Sequence, residues 1–212
     1  MTQQGRLVEY LAIAPVVPVL MIDDAAHAIP LAEALLAGGI GIVEVTLRTE
    51  AALPAIAAMI RAVPGMVVGA GTILTPTQYE QASAAGAQFI VAPGATVPLI
   101  AAARQGKIPF LPGAATPSEV LALRDAGYLH QKFFPAEPAG GIPMLKALAA
   151  PIPDVRFCPT GGITLTNAPD YLALGNIACV GGSWLTPAAL MHAQNWSRIS
   201  DLAAEASRLR LG

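Results

Sequence analysis

Eight short runs rich in β-branched and aromatic residues recur along the chain, separated by alanine- and leucine-rich segments. That alternation restricts the fold more than any single residue does. The runs are "VVPVLMI", "GIVEVTL", "MVVGAGTI", "QFIVAPG", "IPFLPGA", "HQKFFPA", "VRFCPTGG" and "IACVGGS". Between them lie segments such as "LAEALLAGG", "AALPAIAAMIRAVPG", "PTQYEQASAAG", "VPLIAAARQG", "PSEVLALRDAG" and "SRISDLAAEASRLRLG", which read as helices. Most end in glycine, as helix C-termini do. Strict alternation of strand and helix demands a parallel sheet, and eight units predict a closed (β/α)8 TIM barrel, with an open doubly wound sheet as the alternative. Hydrophobic residues at 54% against 12% charged fit strands covered by helices on both faces. The segments after Gly141 and Thr164 are the weakest helices, because prolines at 143, 151, 153 and 169 shorten them. No linker or low-complexity tract interrupts the pattern, so residues 1–212 are expected to form a single domain.

Several partners and compartments are argued against on composition. The formal net charge is −2, and no basic run exceeds Arg208-Leu209-Arg210, so nucleic acid is not an expected partner. Two cysteines, Cys158 and Cys179, form no CxxC and suit a reducing cytoplasm. The stretch "YLAIAPVVPVLMI" holds two prolines and lacks a basic start and a small-residue cleavage site. It reads as a first strand rather than a signal peptide. Residues 81–103 carry no formal charge, but Gly86, Gln88, Pro93, Gly94 and Pro98 divide them into helix, strand and turn. No membrane span is expected.

In a barrel of this type chemistry collects at the C-terminal ends of the strands. Glu44, Thr46 and Arg48 alternate along the end of the second strand and so project into the barrel mouth, while Val45 and Leu47 face the helices. Lys132 and Phe134 alternate likewise on the sixth strand, with Phe133 on the other side. Of the chain's three lysines, Lys107 and Lys146 fall in a loop and on a helix face, which leaves Lys132 for the interior. Burial disfavours an ammonium and raises the fraction of neutral amine able to attack a ketone, the chemistry of a Schiff base. The alternative is a structural ion pair with Glu44. Glu44 itself suits proton relay beside an imine, or a plain pairing with Arg48 or Lys132.

A separate signal comes from paired glycines. "PTGGI" and "VGGSW" follow the seventh and eighth strands, where backbone N–H groups can approach a phosphate, the alternative being a pair of plain turns. "VGAGT" at 68–72 is not a dinucleotide loop, so Gly69 and Gly71 read as allowing close packing beside Thr72. His27, His130 and His192 are isolated without metal-ligand spacing, and no metal is expected. Cys158 and Cys179 read as small buried hydrophobes, and Trp184 and Trp196 as packing residues.

Together, "EVTLRT" (44–49), "VGAGT" (68–72), "VAPGAT" (91–96), "KFFPAE" (132–137), "RFCPTGGI" (156–163) and "GGSW" (181–184) resemble the bacterial 2-keto-3-deoxy-6-phosphogluconate (KDPG) and 4-hydroxy-2-oxoglutarate (KHG) aldolase family over nearly the whole chain. The resemblance implies a cytoplasmic, homotrimeric class I aldolase of the Entner–Doudoroff pathway, needing no cofactor and yielding pyruvate. It matches Lys132 to the Schiff-base lysine and Glu44 to the proton-shuttling glutamate. Arg48, Thr72 and Thr160 match residues around the pyruvate-derived carboxylate, Pro93 and Phe134 line the pocket, and Gly161, Gly162, Gly182 and Ser183 match the phosphate site. Alanines in "PGAT" and "PGAAT" and the proline of "EPAGG" depart from the family pattern and bear on substrate range. The rival readings are an aldolase for the phosphogalactonate epimer, a phosphosugar epimerase working without an imine, and a non-catalytic binding barrel.

Overall fold

The computed structural model describes residues 2–209; Arg210 and the end of the last helical segment lie outside the described residues. All eight sequence runs contribute strands: β1 (Val16–Leu20), β2 (Ile42–Thr46), β3 (Val67–Gly71), β4 (Phe89–Val91), β5 (Phe110–Leu111) with β6 (Gly113–Ala114), β7 (His130–Phe133), β8 (Arg156–Pro159) and β9 (Val180–Gly182). The fifth run splits into β5 and β6 because Pro112 has no N–H to give the ladder. Its carbonyl still accepts the Lys132 N–H at 2.8 Å, so the path of the strand continues.

Every strand pairing is parallel, in the orders β5-β4-β3-β2-β1-β9 and β6-β7-β8. The two sheets join through Pro112 on one side. On the other, a bridge between Thr160 and Gly181 and the Ala178 N–H to Phe157 carbonyl bond (2.9 Å) link β8 to β9. The sheet thereby closes into a barrel, as the eightfold alternation predicts. All five residues of β2 are buried, which accounts for the unbroken apolar character of such runs.

The N-terminus differs from expectation. Residues 10 and 11 of the presumed first strand complete a helix, α1 (Gln3–Leu11), and the strand begins only at Val16. Thr2 caps α1 by accepting the Gly5 N–H at 3.0 Å, and Leu7 and Leu11 are buried. Gln4 donates to the Phe110 carbonyl at 3.2 Å, and the Tyr10 ring lies 6.3 Å from that of Phe89. Phe110 and Phe89 begin β5 and β4, so α1 covers the end of the barrel opposite the strand C-termini.

The remaining helices are α2 (Ala28–Ala37), α3 (Ala52–Ala62), α4 (Pro76–Ala84), α5 (Val97–Gln105), α6 (Pro117–Asp125), α7 (Gly141–Ala149), α8 (Ala168–Leu172), α9 (Ala188–His192) and α10 (Trp196–Ser207). Thr75, Thr96 and Thr116 cap α4, α5 and α6, each followed by a proline in the first turn. Thr116 and Glu119 complete a capping box. Gly39, Gly86 and Gly127 take left-handed φ just after α2, α4 and α6, the helix-ending role their positions suggest. The proline-rich segments do form helices: α7 runs nine residues and α8 only five. Among the described residues, no helix is long and apolar enough to cross a membrane.

Glycine in the sheet marks close approach. A Cβ on Gly69 would lie 2.3 Å from Cζ of the fully buried Phe89. Gly69→Ala therefore overpacks the β3–β4 contact and should destabilise the protein by about 1–3 kcal/mol, read as a lower urea midpoint with unchanged m-value.

Candidate active site

Strand pleating sends alternate residues of β7 to opposite faces, and the environment of each face differs. Gln131 and Phe133 turn outward: the Gln131 amide donates to the Val120 and Tyr128 carbonyls at 3.0 Å each, and Phe133 packs edge-on to Phe157. Lys132 turns inward. Glu44 does the same from β2, between the apolar Val43 and Val45. Lys132 and Glu44 retain only 4% and 3% exposure, and their charged ends meet with Nζ 3.1 Å from Oε1 and 3.4 Å from Oε2. Lys107 and Lys146 are exposed.

The pair is enclosed by what neighbouring strands omit. A Cβ on Gly71 would lie 2.1 Å from Glu44 Oε1, so the carboxylate occupies the space of an absent side chain. Both glycines of "VGAGT" thus serve close packing. The Phe134 ring centroid lies 5.3 Å from Lys132 Nζ, presenting its electron-rich face to the ammonium. Thr46, also inward and buried, donates its hydroxyl to the Leu20 carbonyl at 2.8 Å and so ties β2 to β1.

Above this pair lies a cavity of about 290 Å³ lined by Val19, Arg48, Phe134, Thr160, Gly161, Gly162, Gly181, Gly182 and Ser183. Seven residues singled out in the sequence thus converge here: Arg48, Phe134, Thr160, Gly161, Gly162, Gly182 and Ser183. The two glycine loops stand side by side because Thr160 bridges Gly181. Gly161 and Gly162 have φ of +103° and +80°, a conformation natural to glycine. Arg48 is exposed and brings a positive charge to the wall. Thr72 and Pro93 lie outside this wall, at the ends of β3 and β4. Thr72 is half-buried with φ of +60°, and the Pro93 carbonyl packs against Gly113, the residue paired with Lys132. Gly181, the first glycine of "VGGSW", lines the cavity beside Gly182, whereas nothing in the sequence around Val19 points to it.

The remaining chemistry-bearing residues stand apart. His27 packs edge-on against Trp196, and His192 lies 3.9 Å from Asp23. Burial, then the Arg156 charge, holds His130 below the usual histidine range. Cys158 and Cys179 are both buried; contact with the Cys158 thiol, then burial, pushes the Cys179 thiol well up, away from the thiolate a nucleophile needs. Trp184 is a packing residue, its ring filling the space above Gly182.

A closed parallel barrel with one amine buried beside a carboxylate, beneath a glycine-lined cavity, has the layout of a lysine-dependent aldolase. Comparison with known proteins makes the assignment specific. The KDPG and KHG aldolase family model matches residues 7–202, and the chain belongs to that family. It is 51% identical over 196 residues to the KHG/KDPG aldolase of Escherichia coli K12, covering 92% of each chain. It is also similar to the KDPG aldolase from Legionella pneumophila (TM-score 0.93, 48% identity, covering 97% of this chain and 98% of the other), whose crystal structure has pyruvate captured at low pH as a covalent carbinolamine intermediate. The Zymomonas mobilis ZM4 enzyme, solved with 3-phosphoglycerate, matches at a TM-score of 0.92 and 49% identity over 97% of each chain.

Because Gly71 makes room for the Glu44 carboxylate, Gly71→Ala displaces it from Lys132. A displacement of about an ångström should lower kcat on the order of a hundredfold, with an unchanged circular dichroism spectrum.

Proposed function

We propose that this chain is a cytoplasmic class I aldolase that cleaves KDPG to pyruvate and glyceraldehyde 3-phosphate and also acts on 4-hydroxy-2-oxoglutarate, working as a single domain and without a cofactor. The observation that carries the reading is the buried contact of Lys132 Nζ with Glu44 at 3.1 Å. An amine shielded from water, with one carboxylate in reach to take its proton, is equipped to attack a ketone. The ion pair and the nucleophile are then two protonation states of one device.

In the forward reaction Lys132 adds to C2 of the substrate, and loss of water gives a protonated imine. Its positive charge draws electrons from the C3–C4 bond. Glu44, directly or through water, removes the C4 hydroxyl proton as that bond breaks, releasing the aldehyde and leaving the pyruvate enamine. Glu44 helps return a proton to C3, and water hydrolyses the imine. Arg48 and Thr160 on the cavity wall, with Thr72 from the end of β3, receive the ketoacid carboxylate, while Phe134 lines the cavity and Pro93 flanks the reacting centre from the end of β4. Gly161, Gly162, Gly182 and Ser183 receive the phosphate through backbone N–H groups and a hydroxyl, a role that the left-handed glycines and the approach of the two loops support.

The enzyme assembles as a homotrimer. Exposed apolar side chains at the strand C-terminal side, Met21 at 52%, Leu74 at 52% and Val97 at 80%, supply surface that neighbouring copies would cover. Light scattering on the purified protein should return three times the chain mass; a monomer would overturn this assembly.

Borohydride reduction in the presence of pyruvate should leave one reduced adduct, on the peptide containing Lys132, and Lys132→Met should abolish both adduct and cleavage. An unlabelled folded protein would reject the imine, and turnover surviving in Lys132→Met would favour an epimerase-type barrel. Glu44→Gln should retain the adduct while lowering kcat by about 10²–10⁴-fold, the usual contribution of a positioned proton carrier.

A further inference from the structure

The glycine loop after β8 is held from behind. The Thr160 carbonyl accepts the Ala136 N–H at 2.8 Å, and the Gly161 carbonyl accepts the Glu137 N–H at 3.1 Å. The Gly162 carbonyl accepts Asn167 Nδ2 at 3.1 Å. In a planar trans peptide C=O and N–H point in opposite directions, so these anchors turn the N–H groups of Gly161, Gly162 and Ile163 away from the segment behind the loop. Gly161 and Gly162 line the cavity from that turned position.

The side chain of Glu137 extends the brace. A Cβ on Gly162 would lie 2.5 Å from Glu137 Cγ, so the glutamate stem packs directly on the glycine. Its carboxylate accepts the hydroxyl of Tyr171, whose residue on α8 is fully buried. Asn167, one turn earlier, is itself fixed, with Oδ1 accepting the Thr164 N–H at 2.8 Å and its own N–H donating to Thr164 Oγ1 at 3.3 Å. Glu137 is the last residue of "KFFPAE", five positions beyond Lys132, and it does not line the cavity.

We propose that Glu137 and Tyr171, together with Asn167, are positioning residues that hold the Gly161–Gly162 loop in its anion-binding shape, and so set the preference for phosphorylated over unphosphorylated substrates from outside the cavity. This rests on reading the glycine loops as the phosphate site. The Tyr171 hydroxyl has a second effect: by engaging the carboxylate it keeps the negative charge of Glu137 turned to α8 rather than to the loop that must receive an anion.

The test compares KDPG with 4-hydroxy-2-oxoglutarate. Tyr171→Phe removes one oxygen and Glu137→Ala the brace; each should raise KM for KDPG on the order of tenfold, the loss of roughly one charge-assisted hydrogen bond, at unchanged kcat. Neither should alter kcat/KM for the unphosphorylated substrate. Glu137→Gln, whose amide oxygen still accepts the tyrosine hydroxyl, should behave as wild type. Ser183→Ala, on the cavity wall, checks the underlying reading: it should raise KM for KDPG alone. If Ser183→Ala discriminates between the substrates and Tyr171→Phe and Glu137→Ala do not, the positioning role is overturned and the phosphate site stands. If none of the three discriminates, the phosphate reading falls and takes this proposal with it. Equal losses on both substrates would mark the contact as structural support of the fold and overturn the proposal.

Discussion

An ammonium and a carboxylate, each almost wholly removed from water, meet at 3.1 Å inside the barrel, and the surrounding structure is organised to keep them there. Desolvating two charges costs several kcal/mol per ion, which their attraction repays only in good geometry. That geometry comes from two strands on different parts of the ring. β2 brings Glu44 and β7 brings Lys132, residues 88 positions apart in sequence. Closure of the barrel fixes the distance between them, and a missing side chain at Gly71 makes the room. The face of Phe134 then supplies a third partner to the amine without adding a competing charge.

The site is divided by depth. At the bottom, largely apolar walls and a single carboxylate suit covalent chemistry at an amine, where a second cation would compete for that carboxylate. At the mouth, one exposed arginine and two glycine loops present a positively biased, backbone-lined wall suited to anions. The division follows from strand geometry: the charged pair comes from within β2 and β7, while the cavity is made by residues at the C-terminal ends of β1, β2, β7, β8 and β9 or just beyond them. The charged pair rests on the rigid ladder, and the glycine wall rests on loops whose carbonyls are individually anchored.

Legibility in the sequence followed how local each signal was. The eight strand runs could be read because both faces of a barrel strand are buried, leaving continuous apolar stretches bounded by turns. Helix α1 was hidden because its last residues merge with the apolar run that becomes β1, and only the Thr2 cap and the packing of Leu7 and Leu11 separate them. The break at Pro112 was visible as a proline, but that the strand would continue past it depended on Lys132 on the neighbouring strand. Arg48, Phe134, Thr160 and the paired glycines were recoverable because they sit at strand ends, where alternation predicts direction. Val19 was not, since a valine facing a cavity looks like any other valine. Thr72 and Pro93 were named from motif resemblance, and they stand at strand ends on another part of the mouth.

Local order along the chain was enough to determine the alternation, the parallel sheet, the inward face of Lys132 and the glycine-rich character of the last two loops, because each depends on residues a few positions apart. Tertiary structure alone decided that Lys132 meets Glu44 rather than Arg48 or solvent, that Gly71 leaves space for a carboxylate, and that Glu137 reaches Tyr171 behind the Gly161–Gly162 loop. These contacts join residues dozens of positions apart. Their distances are set by the closure and register of the barrel, quantities that no local stretch of sequence contains.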